Sequence, residues 1–121
     1  MNQYNPDLWV ILKMVVDGEV QHRVLASWYG GYAGSDSWRM NSGITRAEQV
    51  EDAFLFHGQT GSTYVCSKGS GAYGMSSYTA SVLAGWQRDA KDSTESPKVE
   101  LFLLTEQEAK TLAWAPEAVL Q

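Results

Sequence analysis

From Leu8 to Val16 the chain reads LWVILKMVV, an apolar run broken by a single lysine. A short, β-branched-rich run without alternation predicts a strand buried on both faces or nearly so. Asp17-Gly18 comes next. An Asp-Gly pair between two such runs predicts a hairpin, because both central residues of a type I′ turn take positive φ. Glu19 to Trp28 then alternates with period two. Val20, His22, Val24, Ala26 and Trp28 share one face, while Glu19, Gln21, Arg23 and Leu25 take the other.

The alternation stops at SWYGGYAGSDSWRMNSGI, residues 27–44. A third strand is expected to begin within Trp38 to Ser42, with Gly43 marking a bulge or bend. Ile44 to Val50 fits either one helical turn around Ala47–Glu51 or a strand, and the neighbouring segments favour the strand. Glu51-Asp52 reads as a turn, Ala53 to His57 (AFLFH) as a strand, Gly58–Gly61 as turn chemistry, and Ser62 to Lys68 as a further alternating strand. Residues 8–68 thus predict a meander of four or five antiparallel strands.

A second Gly-rich segment, GSGAYG at 69–74, precedes Ser76 and Ser77, which are N-cap residue types. Tyr78, Val82 and Trp86, with Leu83 beside them, recur at helical spacing and predict a helix over about 77–91 with its apolar stripe on the sheet. Lys91 to Pro97 reads as a polar linker and Val99 to Leu104 as another strand. Thr105-Glu106-Gln107-Glu108 is a capping box that opens a short helix running to about Trp114 and ended by Pro116. The expected fold class is α+β: an antiparallel β-meander of about five to six strands, one main helix packed on a face, and a short C-terminal helix. Residues 1–121 form a single compact domain in this reading, since the length suits one core.

Composition narrows the function classes. The chain is 44% hydrophobic and 19% charged, with a net charge of −5, which is ordinary globular material and not a disordered tail. An acidic balance without clustered Lys and Arg argues against a sequence-independent grip on a nucleic-acid backbone. Cys66 is the one cysteine, so no internal disulfide forms, in keeping with a reducing compartment. The start, MNQYNPD, lacks the basic and apolar regions of a signal peptide. No apolar run approaches the roughly twenty residues that span a bilayer.

Candidate chemistry gathers at 27–44. Gly30, Gly31 and Gly34 permit close backbone approach. Trp28, Tyr29, Tyr32 and Trp38 offer flat faces with polar tips. Arg39 supplies a planar fork for a phosphate or carboxylate, and Asp36 and Asn41 supply short hydrogen-bonding groups. Bare amides, aromatic planes and one guanidinium suit a nucleotide-like ligand. The plainer reading makes the same aromatics the rim of a core, with Arg39 paired to Asp36 or a nearby acid. Elsewhere the signals are thinner. Cys66 and His57 would form a nucleophile–base pair only if their strands bring them within hydrogen-bond reach, and a packed, inert Cys66 is the simpler reading. One Cys and two widely spaced His (His22, His57) match no zinc pattern. The 69–74 segment leads to a helix N-terminus, but no dinucleotide or P-loop motif is present. It would form a second pocket wall only if it meets the 27–44 loop in space. No metal, cofactor or catalytic residue is expected.

The strings ASWYGGYAGSDSWRMNSGI (26–44) and FLFHGQTGSTYVCSKGSGAYG (54–74) resemble a group of small, uncharacterised proteins encoded by tailed bacteriophages, over about residues 24–74. That group shares a W-x-G-G-Y, a D-S-W-R-x-N-S-G-I and an F-H/S-G-x-x-G-S-x-Y box. The resemblance implies no activity. It implies a context: a phage accessory protein in the host bacterial cytoplasm, where such proteins often counter bacterial defence. Two readings follow. In the first, a non-catalytic binding module, able to act as a homo-oligomer, sequesters a nucleotide-like immune signal. Trp28, Tyr32 and Trp38 would stack on its base, and Arg39, Gly30, Gly31, Asp36 and Asn41 would meet its polar groups. In the second, an acidic inhibitor binds and blocks a host defence protein, since Trp, Tyr and Arg dominate interface hot spots.

Overall fold

The computed structural model describes residues 2–30, 36–94 and 98–111. Among the described residues, eight strands and two helices follow one another as β1 (Gln3–Tyr4), β2 (Leu8–Val16), β3 (Glu19–Trp28), β4 (Ser37–Met40), β5 (Ile44–Gln49), β6 (Ala53–Gly58), β7 (Thr63–Ser67), α1 (Ser77–Asp92), β8 (Val99–Leu103) and α2 (Glu106–Thr111). The class is α+β, with a main helix on a sheet face and a short helix near the C-terminus, as expected. The strands number more than the expected five or six, and they divide between two sheets, ordered β1-β7-β6-β5 and β4-β3-β2-β8. Neighbours are antiparallel except for β1, which runs parallel to β7. Each sheet contains its own short meander, β2-β3-β4 in one and β5-β6-β7 in the other. The chain passes between them at the corner 41–43.

Local chemistry sets the elements. Asp17 (φ 50°) and Gly18 (φ 85°) supply the two positive dihedrals of the predicted turn, and β2 and β3 pair without a break from Leu8↔Ser27 to Val16↔Glu19. Ile44–Gln49 is a strand, with a register shift between Ile44 and Arg46 just after Gly43. Gly43 holds φ 125°, a left-handed conformation that strains any residue with a Cβ, so the bend calls for glycine. Ser76 caps α1 by accepting the Thr79 N–H at 3.1 Å. Thr105 and Glu108 exchange hydrogen bonds as a capping box, at 2.8 and 3.1 Å. The expected continuation of α2 to Trp114 lies outside the described residues.

The β4-β3-β2-β8 sheet is the middle of three layers. One face buries Trp9, Ile11, Val24 and Ala26 against Ala47, Phe54, Phe56, Tyr64 and Cys66 of the other sheet. The opposite face buries Val10, Leu12 and Leu25 beneath Leu83 of α1. A sheet covered on both sides explains why β2 reads as an apolar run without alternation, interrupted only by Lys13. It also explains Leu25, which alternation places on a polar face but which is fully buried, because the helix lies over it. The helix is rotated from the stripe read in the sequence. Tyr78 is 49% exposed, while Thr79 and Leu83 are buried. Thr79 tolerates the interior because its hydroxyl accepts from Ser76 Oγ at 3.0 Å.

Candidate functional site

The described part of the 27–44 region is the β3–β4 end of the middle sheet. Here the register decides which side chains meet. Ala26 faces Arg39, Ser27 faces Trp38, and Trp28 faces Ser37. Successive residues of a strand point to opposite faces. Trp28 and Arg39 therefore share the face turned to the other sheet, and Trp38 lies on the helix side. The two tryptophans stand on opposite sides of one sheet and do not form a common stacking surface. Gly31, Tyr32 and Gly34 lie outside the described residues.

On the inter-sheet face the Arg39 guanidinium sits over the Tyr4 ring, 4.5 Å from its centroid. Tyr4 in turn meets Trp28 edge-on, with centroids 6.4 Å apart, and lies 5.0 Å from the Tyr64 ring. Trp28 is half-buried, and its indole N–H donates to the Asn5 carbonyl at 3.1 Å. Burial raises the Tyr64 phenol above its ordinary range, and the nearby Arg39 works against that rise. Arg39 itself is exposed. It lies over the Tyr4 ring, whereas the plainer sequence reading paired it with Asp36 or a nearby acid. Asp36 instead accepts the Gly30 N–H at 2.8 Å and so pins the two described ends of the loop together. Asp7 does the same one residue earlier, accepting the Tyr29 N–H at 2.9 Å while its own N–H donates to Ser27. Tyr29, on this pinned backbone, is 59% exposed.

Trp38 and Asn41 are occupied within the fold. Trp38 meets Trp86 of α1 edge-to-face at 4.8 Å, joining sheet and helix. Asn41 is buried, and its Oδ1 accepts from Val24 N–H at 2.9 Å and Gly43 N–H at 3.3 Å. The 69–74 segment does not approach this end. Its backbone bonds to Trp9, through Ala72 and Gly74, at 3.1 and 2.9 Å. It therefore borders β2 on the side away from β3 and β4.

Cys66 and His57 are also separated. Cys66 faces the core with Phe54 and Tyr64, and burial pushes its thiol well above the ordinary range. His57 lies on the outer face of the same sheet, an odd number of residues from Phe54. There it belongs to a chain that the sequence alone did not suggest. Thr63 Oγ1 meets His57 Nδ1 at 3.0 Å, His57 Nε2 meets Glu48 Oε1 at 3.1 Å, and Glu48 Oε2 takes Arg46 at 2.7 Å. Arg46, then His57, hold the Glu48 carboxyl below its usual range. Pairing across β5, β6 and β7 creates this alignment, so no local spacing announces it. Two clefts are also described, of about 310 Å³ between α1 and β8 and about 480 Å³ beside the β2–β3 turn, and neither includes Trp28, Arg39 or the His57 chain. Among the described residues no three metal-ligating side chains converge, and no helix is long and apolar enough to cross a membrane. The chain matches no family model, no curated protein and no solved structure among those compared.

Proposed function

We propose that this is a non-catalytic binding protein of phage type, which captures a small nucleotide-like anion at the β3–β4 end and so withholds an immune signal from a bacterial defence system. The observation that carries the reading is the exposed Arg39 guanidinium laid over Tyr4. Contact with the ring restricts the guanidinium in advance, so less freedom is lost when its N–H groups grip a phosphate or carboxylate. Trp28, on the same face, is the ring best placed to lie against a base. Trp38, on the far face, serves the fold. Asp36 and Gly30 shape the loop, and Gly31 and Tyr32 remain as further ligand groups in the proposal.

Heating the purified protein and analysing what it releases by mass spectrometry identifies a captured molecule directly. Calorimetry with cyclic dinucleotides and ADP-ribose derivatives should then show binding that Arg39→Ala weakens by about a hundredfold, the loss of a charge-assisted bidentate contact. Absence of any bound or titratable ligand, together with unchanged phage growth for Arg39→Ala, would sink the reading. A second reading, a blocker of a host defence protein, is favoured by Tyr29, which is exposed on a backbone held by Asp7. A stoichiometric host protein recovered with the wild type, and lost with Tyr29→Ala, distinguishes it.

A further inference from the structure

β8 closes the middle sheet at one edge. Its even positions face β2: the Lys98 carbonyl accepts the Asp17 N–H at 2.9 Å, and the Leu104 N–H donates to the Ile11 carbonyl at 3.1 Å. In an antiparallel ladder Glu100 and Phe102, between these two, have the same direction. The N–H and C=O groups of Val99, Leu101 and Leu103 therefore point away from the sheet. Gln87 agrees with this, since its Nε2 donates to the Leu101 carbonyl at 3.2 Å from α1. Among the described residues no backbone pairs with this outer side. The same edge displays Phe102 and Leu103, which are 46% and 42% exposed. Next to it runs the cleft of about 310 Å³ that Ala90, Lys91 and Leu101 help to line. An open strand edge with exposed apolar side chains is a template for another strand.

We propose that β8 is a homodimer edge, pairing antiparallel with β8 of a second copy about a twofold axis through Leu101, so that the two middle sheets become one continuous sheet. The occupant is a second copy because the strand complements itself in that register. Leu101 faces Leu101 of the second copy, and Val99 faces its Leu103. These residues lie on the helix side, since Leu103 is the partner of Leu12, so each exposed Leu103 is covered by Val99 beside the cleft. On the other side Glu100 faces Phe102 of the second copy. Lys13 stands over the Phe102 ring at 5.8 Å, so each Glu100 carboxylate arrives next to a lysine. A twofold through Glu100 would instead set two carboxylates opposite one another, which is destabilising. A twofold through Phe102 leaves Val99 without a partner in the strand. The Leu101 carbonyl keeps a second lone pair for the inter-copy bond beside the Gln87 amide.

Sedimentation of the intact chain over the micromolar range should give twice the monomer mass. Leu101→Pro removes an N–H that points only outward, so the chain's own ladder is kept. That variant should raise the dimer dissociation constant by about tenfold or more with an unchanged circular dichroism spectrum. Lys13→Glu and Glu100→Lys should each weaken the dimer by about threefold, and the double swap should restore it. The swap decides the matter if the proline variant fails to fold. A chain that stays monomeric, an oligomer indifferent to Leu101→Pro, or a double swap that restores nothing overturns the proposal. So does a monomer whose β8 edge cross-links only to a host protein.

Discussion

Asn41 shows how one buried amide holds a corner. Its Oδ1 accepts two backbone N–H groups where the chain leaves one sheet for the other. Asn41→Ala strands both donors in the interior and should cost about 2–4 kcal/mol, measured by urea unfolding. The sequence shows only an Asn in a polar loop, a residue type that serves ligands and turns equally well, so its role there was not legible. The exposed guanidinium of Arg39 could be anticipated from the polar loop around it, but its ring partner Tyr4, far away in the chain, could not. His22 gives a residue-scale prediction for pH. Burial first, and then Lys13, hold its imidazole below the ordinary 6.5. The unfolded chain therefore takes up the proton first as the pH falls. Stability from this group is complete above 6.5 and declines below it, until the depressed folded value is reached. Thermal melts between about pH 7 and 5 should show that decline, and His22→Gln should flatten it. Glu48, held below its ordinary 4.5, acts only in more acid solution.

At the scale of elements, Tyr73 does what a strand residue would otherwise do. Its hydroxyl accepts the Ile11 N–H at 3.0 Å and donates to the Leu104 carbonyl at 2.7 Å. It thus stands as a bridge where the β2–β8 ladder ends, and its ring meets Trp9 edge-on at 4.9 Å. Burial pushes this phenol up to about 12, so it stays protonated and keeps donating. Tyr73→Phe should cost about 1–3 kcal/mol and speed hydrogen exchange at Ile11, since two partly buried backbone groups lose their partner. Nothing in GSGAYG announces this role, because the partners lie distant in the chain. Contacts close in the chain were legible. The Leu8–Val16 and Glu19–Trp28 strands, the Asp17-Gly18 turn, the Ser76 cap and the Thr105–Glu108 box all rest on neighbours within a few residues. The separation of Trp28 from Trp38 was hidden for the opposite reason. Their faces depend on the β3–β4 register across a loop, and period-two counting does not carry through a loop.

For the whole molecule, three layers make the middle sheet the common floor of two cores. Cys66 lies in the inter-sheet core, sealed and with a raised thiol pKa. A thiol reagent such as Ellman's should leave it unlabelled in the native protein and label it as the chain unfolds in denaturant, at a rate that tracks loss of the circular dichroism signal. Rapid labelling under native conditions would mean that the two sheets part more readily than their shared core implies. The same layering has a consequence during synthesis. The β2–β3 hairpin leaves the ribosome ahead of α1 and β8, with Val10, Leu12 and Leu25 facing water until those elements arrive to cover them. In that interval the nascent chain offers an apolar strand surface of the sort holdase chaperones bind, and a message cut short before residue 77 yields a product with no means of hiding it.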